Sequence, residues 1–458
     1  MIDPRSQETE KKKYASGGAT LVKFSFRFQP GYLFHIWILI LFLGVFSCST
    51  LKPPVNAGAS LTSESIDRDI ALTITLTDRP DFEKLINDAL KACQDQDWNR
   101  AVDLLIEGDN LSRSPEIPRT IFRSLLEKMT DQPFPSGRVF EYLARTTPVE
   151  EAAEKERLRV LGELATSSPR TLEWSDSKAV LAWLPPKGFS LGGLIGLSMK
   201  FHPVVEVMVN GSPMRMILDT GAETTALYAD AAQRAGIKPL AGLDLTVESS
   251  NDLSSQGKIG VIKSEVMGNL QVLNDRVLIV PRPFGVDFDG VVGWPVLSQL
   301  VMEMDAAQQK IILRPSKVER SGPVNFYWAG DPIVVLQAGL PPKQIPFSLD
   351  TGAARTWFSP EGLNRLGIQA DKMGQAPSGG VAGVQWKDRN TFKRAEVFLD
   401  GRSLVFLEHV NSPNSFHFFN FWNGVLGSDL AQAGVITFDF PSGLVRFEPF
   451  ELEPIPRP

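Results

Sequence analysis

Two stretches of the chain, MILDTGAETT at 216–225 and FSLDTGAART at 347–356, open matched series that run well beyond their shared Asp-Thr-Gly-Ala. Counting from Asp219 and from Asp350, the eighth residues are Leu227 and Phe358 and the fifteenth are Arg234 and Arg365. The seventeenth are Gly236 and Gly367, and the eighteenth Ile237 and Ile368. Further on, FDGVVGWPVL places Gly290 and Gly293 much as WNGVLGSDL places Gly424 and Gly427. A third pair, MEMDAAQQKIILRP and ITFDFPSGLVRFEP, sets Asp305 and Asp439 ahead of a turn and a last apolar strand. Self-similarity at a fixed period marks a repeated structural unit, here of about 115 residues, at 201–316 and 331–450. Whatever fold the first unit takes, the second is expected to share it, with each Asp in the same place.

Inside the units, short runs of Val, Ile, Phe and Leu are broken by Gly, Pro, Asn and Asp. PVVEVMVNGSPMRMILDTGA reads as strand, Asn-Gly turn, strand. The chain from 171 onward is therefore expected to be mainly β. Residues 76–170 read differently. Leu85, Ile86, Ala89, Leu90 and Cys93, then Ala101, Leu104 and Leu105, recur at helical spacing. ALKACQDQDWNRAVDLL resembles one helical pair of a tetratricopeptide-type repeat, but an array needs about three, so the class of this helical domain stays open. Cys93 lies on its apolar face and is expected to be a buried small hydrophobe. Residues 49–75, rich in Ser, Thr and Pro without periodicity, are expected to be a flexible tether. Residues 171–200 and 317–330 are expected to be linkers, and 451–458 a tail.

The N-terminal region is basic through EKKKYASGGATLVKFSFRFQP and then apolar over 32–46. That run is short of the roughly 20 residues a membrane-spanning helix needs. It has the pattern of a secretory signal, so 1–48 is expected to be a signal peptide, a lipoprotein signal or a membrane anchor. VFSC resembles the lipobox of bacterial lipoproteins, which implies lipidation of Cys48; Phe46 departs from the small residue usual there, and an uncleaved anchor stays open. The rest of the chain is expected to be exported and to face the periplasm or cell exterior, held at the membrane. A formal net charge of -6 argues against nucleic acid as a partner. Two cysteines and four histidines supply neither a disulfide framework nor a His-rich zinc site, and no metal or cofactor is expected. GFSLG at 188–192 matches the Gly-x-Ser-x-Gly elbow of serine hydrolases, but Pro185, Pro186 and the glycine-rich run after it provide neither the strand nor the helix that elbow needs.

The two Asp-Thr-Gly-Ala motifs, each with its own Gly-Val-Val-Gly or Gly-Val-Leu-Gly partner, resemble the pepsin and retropepsin superfamily of aspartic peptidases, especially its retroviral-type and bacterial retropepsin-like branch. The resemblance covers a little over half of the chain. It implies two retropepsin-like closed β-barrel units in a pepsin-like, pseudo-two-fold pairing, preceded by the small α-helical domain. It also implies a catalytic pair, Asp219 and Asp350. Two carboxylates about 3 Å apart cannot both ionise cheaply, so they share a proton and can activate water while protonating a peptide carbonyl. Gly221 and Gly352 would let backbone approach the carboxylates, Thr220 and Thr351 would interlock the loops, and Ala222 and Ala353 would stand where the pepsin branch carries a hydroxyl. Losing that hydroxyl is expected to raise the pair's pKa values and move the pH optimum towards neutral. A substrate-covering flap is implied about thirty residues after each Asp, at Gly379, Gly380 and Gly383 in the second unit and within ESSNDLSSQGKIG in the first.

Several residues depart from the branch. Retroviral enzymes follow the motif with an acidic residue paired to an arginine beyond the later glycine. Glu223 fits the first half of that pair, but Ala354 replaces it in the second unit, and Trp294 and Ser428 stand in place of the arginine. The two halves must then be held together otherwise. Arg355 is expected to point to solvent. The reading that follows is an aspartic endopeptidase acting on protein or peptide substrates within one chain. Two alternatives are pairing of each unit with its copy in another chain, and a non-catalytic cell-envelope scaffold that uses the helical domain to bind a protein partner.

Overall fold

Period-two burial sets the strands: along Val204–Val209 and Gly434–Asp439 every second side chain is buried. The computed structural model describes residues 59–450 apart from 67–68, 77–79, 96, 112–116, 131–135, 186–200, 249–253, 284–285, 318–323, 340–341, 371, 381–382 and 412–422. The basic and apolar N-terminal region with Cys48, the GFSLG segment and the tail lie outside the described residues. Among the described residues no helix is long and apolar enough to cross a membrane.

The chain opens with β1 (Ala59–Ile66) and β2 (Asp69–Leu76), an antiparallel pair. These residues were expected in a flexible tether. Ile70, Leu72, Ile74 and Leu76 alternate with smaller or polar residues, a strand period that the surrounding Ser and Thr obscure. Five helices follow: α1 (Pro80–Gln94), α2 (Trp98–Leu111), α3 (Ile117–Lys128), α4 (Ser136–Thr146) and α5 (Ala152–Ser167). Phe82, Ile86, Leu90 and Cys93 of α1 meet Leu105 and Phe122 in one apolar core, and the Cys93 thiol is buried, with no disulfide among the described residues.

Beyond them come β3 (Thr171–Trp174), β4 (Ala179–Ala182), β5 (Val204–Val209), β6 (Ser212–Leu218), β7 (Thr225–Tyr228), α6 (Ala229–Arg234), β8 (Asp244–Glu248), β9 (Ser254–Met267), β10 (Leu270–Val280), β11 (Gly290–Val292), α7 (Trp294–Leu297), β12 (Leu300–Asp305) and β13 (Lys310–Pro315). The order β10-β7-β11-β6-β5-β9, closed by pairing of β9 with β10, makes a six-stranded barrel. β3 extends it beside β10, and β4 pairs with β13, so part of the expected linker 171–200 is built into the sheets.

The second unit has β14 (Phe326–Trp328), β15 (Pro332–Ala338), β16 (Lys343–Leu349), β17 (Trp357–Phe358), α8 (Pro360–Arg365), β18 (Lys372–Gly380), β19 (Gly383–Leu399), β20 (Arg402–Asn411), β21 (Gly424–Leu426), β22 (Gly434–Asp439) and β23 (Leu444–Pro449). Its strands follow the same order, but the ring is thin. Among the described residues, β15 meets β19 only at Gln337 opposite Phe398, and the two-residue β17 meets β20 only at Phe358 opposite Asn411. This sheet is a half-barrel drawn towards closure, where the repeat implied a second closed barrel. β14 also occupies part of the expected linker 317–330.

The repeat's outlying matches now have physical reasons. Gly236 and Gly367 end α6 and α8 with φ of 66° and 68°, a left-handed turn that favours glycine. Ile237 and Ile368 then donate their N–H groups back to Ala232 and Leu363. Asp305 and Asp439 accept from the N–H groups of Gln308 and Ser442, three residues on, which turns the chain into the last strand.

The halves are joined by a five-stranded sheet, β23-β22-β12-β13-β4, in which β12 of the first unit pairs antiparallel with β22 of the second. Trp294, standing where a retroviral arginine would be, packs edge-on against Phe440 at 5.0 Å and against Phe326 at 5.8 Å. Aromatic packing and shared strands thus replace the missing ion pair.

A buried charge cluster joins β9, β10 and Arg170, which lies between α5 and β3. Glu265 of β9 and Asp275 of β10 are fully buried, and Arg170 donates to Asp275 at 2.5 Å. Among the described residues, neither Glu265 carboxyl oxygen has a hydrogen-bond partner. Burial first, then the Asp275 carboxylate, hold the Glu265 carboxyl well above the usual range, with Arg170 opposing. A carboxyl whose folded pKa is raised stabilises the fold below about pH 4.3 and loses that contribution as pH rises through the raised value. Glu265→Gln is therefore expected to raise the thermal midpoint at neutral pH and to make no difference below about pH 4; equal midpoints at pH 7 would refute the assignment.

Candidate active site

Asp219 stands where β6 ends. Its N–H donates to Val292 at 3.0 Å, because β11 runs parallel to β6 with Leu218 opposite Val292. Asp350 follows β16 in the same way and donates to Leu426 of the parallel β21 at 3.0 Å. The paired glycines make these crossings possible. A Cβ on Gly290 would lie 2.1 Å from the Ala226 carbonyl oxygen, and one on Gly424 would lie 2.2 Å from that of Trp357. Gly293 and Gly427 press equally closely on the two loops, against Thr224 and against Ala353 and Arg355. Past them, Trp294 and Ser428 donate their N–H groups to Ala222 and Ala353 at 2.8 and 2.9 Å.

The two loops meet. The Thr220 N–H donates to the Thr351 hydroxyl and the Thr351 N–H to the Thr220 hydroxyl, both at 3.0 Å. Each hydroxyl in turn donates to the carbonyl before the opposite Asp: Thr220 to Leu349 at 3.0 Å, Thr351 to Leu218 at 2.6 Å. Both threonines are buried, so every donor and acceptor in this lattice is used. Each loop also brings its glycine under the other's carboxyl. A Cβ on Gly221 would be 2.5 Å from Asp350 Cγ, and one on Gly352 would be 2.3 Å from Asp219 Cγ.

The carboxyls are oriented by backbone. Asp219 Oδ1 accepts from the N–H groups of Gly221 and Ala222 at 2.9 and 3.1 Å, and Asp350 Oδ1 accepts from that of Ala353 at 2.9 Å. Removal from water, the charge of Asp350 and a hydrogen bond to it raise the Asp219 pKa well above the usual carboxylate range, outweighing the two N–H groups. Two carboxyls joined by a hydrogen bond away from water favour sharing one proton over ionising twice.

All six supporting residues named from the sequence lie in these loops. The glycines read as a flap tip end a hairpin: β18 and β19 converge with Gly379 opposite Val384 and Gly380 opposite Gly383. In the first unit β8 and β9 converge with Glu248 opposite Ser254, and 249–253 between them lie outside the described residues. Arg355 is exposed, with its guanidinium 5.9 Å from the Phe201 ring centre.

Thr225 and Thr356 were missed. Both are buried, and their hydroxyls accept from the N–H groups of Gly293 and Gly427 at 3.3 and 3.0 Å, tying the end of each Asp loop to its glycine strand. The signal was present, since both stand six residues after their Asp. Glu223 was read as half of a missing pair, but it has a partner far away in sequence, Lys128, at 2.5 Å.

Residues 205–296 match a family model described as aspartyl protease, and no curated protein matches the chain. The matched span runs from β5 to α7 and includes Asp219 and Gly290. It supports the aspartyl protease superfamily, and with it a protease-type function, for the first unit.

Proposed function

We propose that the protein is an aspartic endopeptidase whose Asp219 and Asp350 act together within one chain, the two units pairing about a pseudo-two-fold axis. The observation that carries this reading is the reciprocal Thr220–Thr351 lattice, with each glycine lying beneath the other loop's carboxyl. In the proposed reaction a water sits between the carboxyls of a singly protonated pair. The ionised carboxylate takes a proton from the water as its oxygen attacks the peptide carbonyl, and the protonated one gives its proton to the carbonyl oxygen. The tetrahedral diol then collapses. One hydroxyl returns its proton to a carboxylate, the other carboxyl protonates the leaving nitrogen, and the C–N bond breaks. The lattice keeps the pair at its spacing throughout, so little reorganisation is needed at the transition state.

Substrates in this reading are proteins or peptides in extended form, covered by the β18–β19 hairpin. The basic and apolar N-terminal pattern supports export to the cell envelope, held at the membrane and facing the periplasm. The test is cleavage of an unfolded protein by the wild-type chain and its inhibition by a statine-type transition-state analogue. Absence of both would favour the scaffold reading.

The raised Asp219 pKa fixes the sign of the pH dependence. Activity requires one shared proton and fails as pH rises through the pKa at which that proton is lost. Raising that pKa moves the alkaline limb upward. The rate of cleavage is therefore expected to peak nearer neutral pH; a profile peaking at about pH 3 would overturn this.

A further inference from the structure

The helical region does not lie apart from the β units. Trp98 of α2 packs edge-on against Trp328 of β14 at 5.8 Å. Arg276 of β10 lies over the Phe140 ring of α4 and donates to the Thr130 carbonyl at 3.1 Å. A third contact is made by Lys128, the last residue of α3. Its ammonium donates to Glu223 at 2.5 Å and to Asp331 at 3.1 Å. The lysine and Asp331 are each only 16% exposed, while Glu223 is 68% exposed.

The two acceptors belong to different units, and both adjoin a catalytic loop. Glu223 directly follows Ala222, whose N–H holds the Asp219 carboxyl. Asp331 directly precedes β15, which pairs along its length with β16, the strand that delivers Asp350. An exposed ion pair alone contributes little. Lys128 differs because its ammonium is largely withdrawn from water, so its position is fixed by both carboxylates together.

We propose that Lys128 is a positioning residue for the Asp219–Asp350 pair, a strap through which the helical region sets the spacing of the two catalytic loops. The inference rests on the endopeptidase reading above. It gives the helical region a part in the chemistry in addition to any part in binding a partner, and it answers how a chain lacking the retroviral ion pair uses Glu223.

The test compares wild type, Lys128→Met and Lys128→Arg in the full chain, with peptide cleavage, thermal midpoint and amide hydrogen exchange of 219–223 measured for each. Lys128→Met is expected to lower kcat between about tenfold and about a hundredfold with KM nearly unchanged, since small misplacement of reacting groups acts on the rate. Exchange of the Asp219 loop is expected to quicken, and Lys128→Arg to recover most of the rate. Glu223→Gln added to Lys128→Met is expected to cost less than it does alone. Wild-type kcat and unchanged loop exchange in Lys128→Met would overturn the inference while leaving the endopeptidase reading intact. A rate loss that only tracks a lowered midpoint would also overturn it, by making the role one of stability. An inactive wild-type chain would overturn both.

Discussion

Asp219→Asn and Asp350→Asn are each expected to lower peptide cleavage by about a thousandfold or more, because in the proposed reaction each removes half of the proton exchange from a pair that acts as a unit. The amide keeps the size of the carboxyl, and the loop N–H groups that orient Asp219 can still donate to its side-chain oxygen. The variants should therefore fold. Removing one charge from the pair relieves the repulsion that raises the Asp219 pKa, so neither variant should lose stability at neutral pH. Mixing the two variants separates the readings. If each active site forms within one chain, the mixture stays inactive. If each unit pairs with its copy in a second chain, each single variant retains an intact site and keeps about half the rate. The interlocking of Thr220 with Thr351 in one chain favours the inactive mixture.

Much of this site was legible because local geometry forces particular residues at particular offsets. Only a residue without a Cβ fits where Gly290 crosses Ala226 or Gly424 crosses Trp357, so the glycines recur with the aspartates they support. Gly236 and Gly367 recur because helix exit there needs a left-handed residue. What escaped was decided by contacts distant in sequence. Glu265 sits in KSEVMGN, where no neighbour in sequence marks it as buried; its burial beside Asp275 and Arg170 is set by how β9 pairs with β10 and β5. The four-residue strands β3 and β4 are too short to show a period, and each exists because a partner strand offers an open edge. Lys128 is an ordinary helix-terminal lysine in sequence, 95 residues from Glu223, and nothing near it announces a partner. The second sheet's thin closure was hidden for the opposite reason. Matched motifs at Asp350 and Gly424 report the site, and they carry no information on the length of β17 or the span of β15 against β19.

Gly352→Ala is expected to abolish cleavage as completely as loss of an aspartate, though it removes no ionisable group. The added methyl would stand 2.3 Å from Asp219 Cγ and 2.4 Å from both carboxyl oxygens, far inside contact distance. A flexible side chain could swing aside, but Asp219 has little freedom to do so. Its Oδ1 is held by the Gly221 and Ala222 N–H groups, and its backbone is fixed to Val292. Moving the carboxyl breaks those bonds and its bond to Asp350; moving the loop breaks the Thr220–Thr351 lattice, in which buried donors would be left unmade at about 1–3 kcal/mol each. Either route takes the two carboxyls out of register, and a displacement of about 1 Å can cost a hundredfold in rate. Gly221→Ala makes the converse test, since its methyl would stand 2.5 Å from Asp350 Cγ. Gly211→Ala serves as the control: among the described residues no atom beyond its chain neighbours lies within 4 Å of its added Cβ, so only the local strain at φ 81° is incurred, at the turn between β5 and β6, and activity should persist. Thermal midpoints and rates for the three variants decide the matter. Loss of rate confined to Gly352→Ala and Gly221→Ala places the chemistry between the loops, and full activity in both would show that the carboxyls facing those glycines are not the groups that cut the peptide.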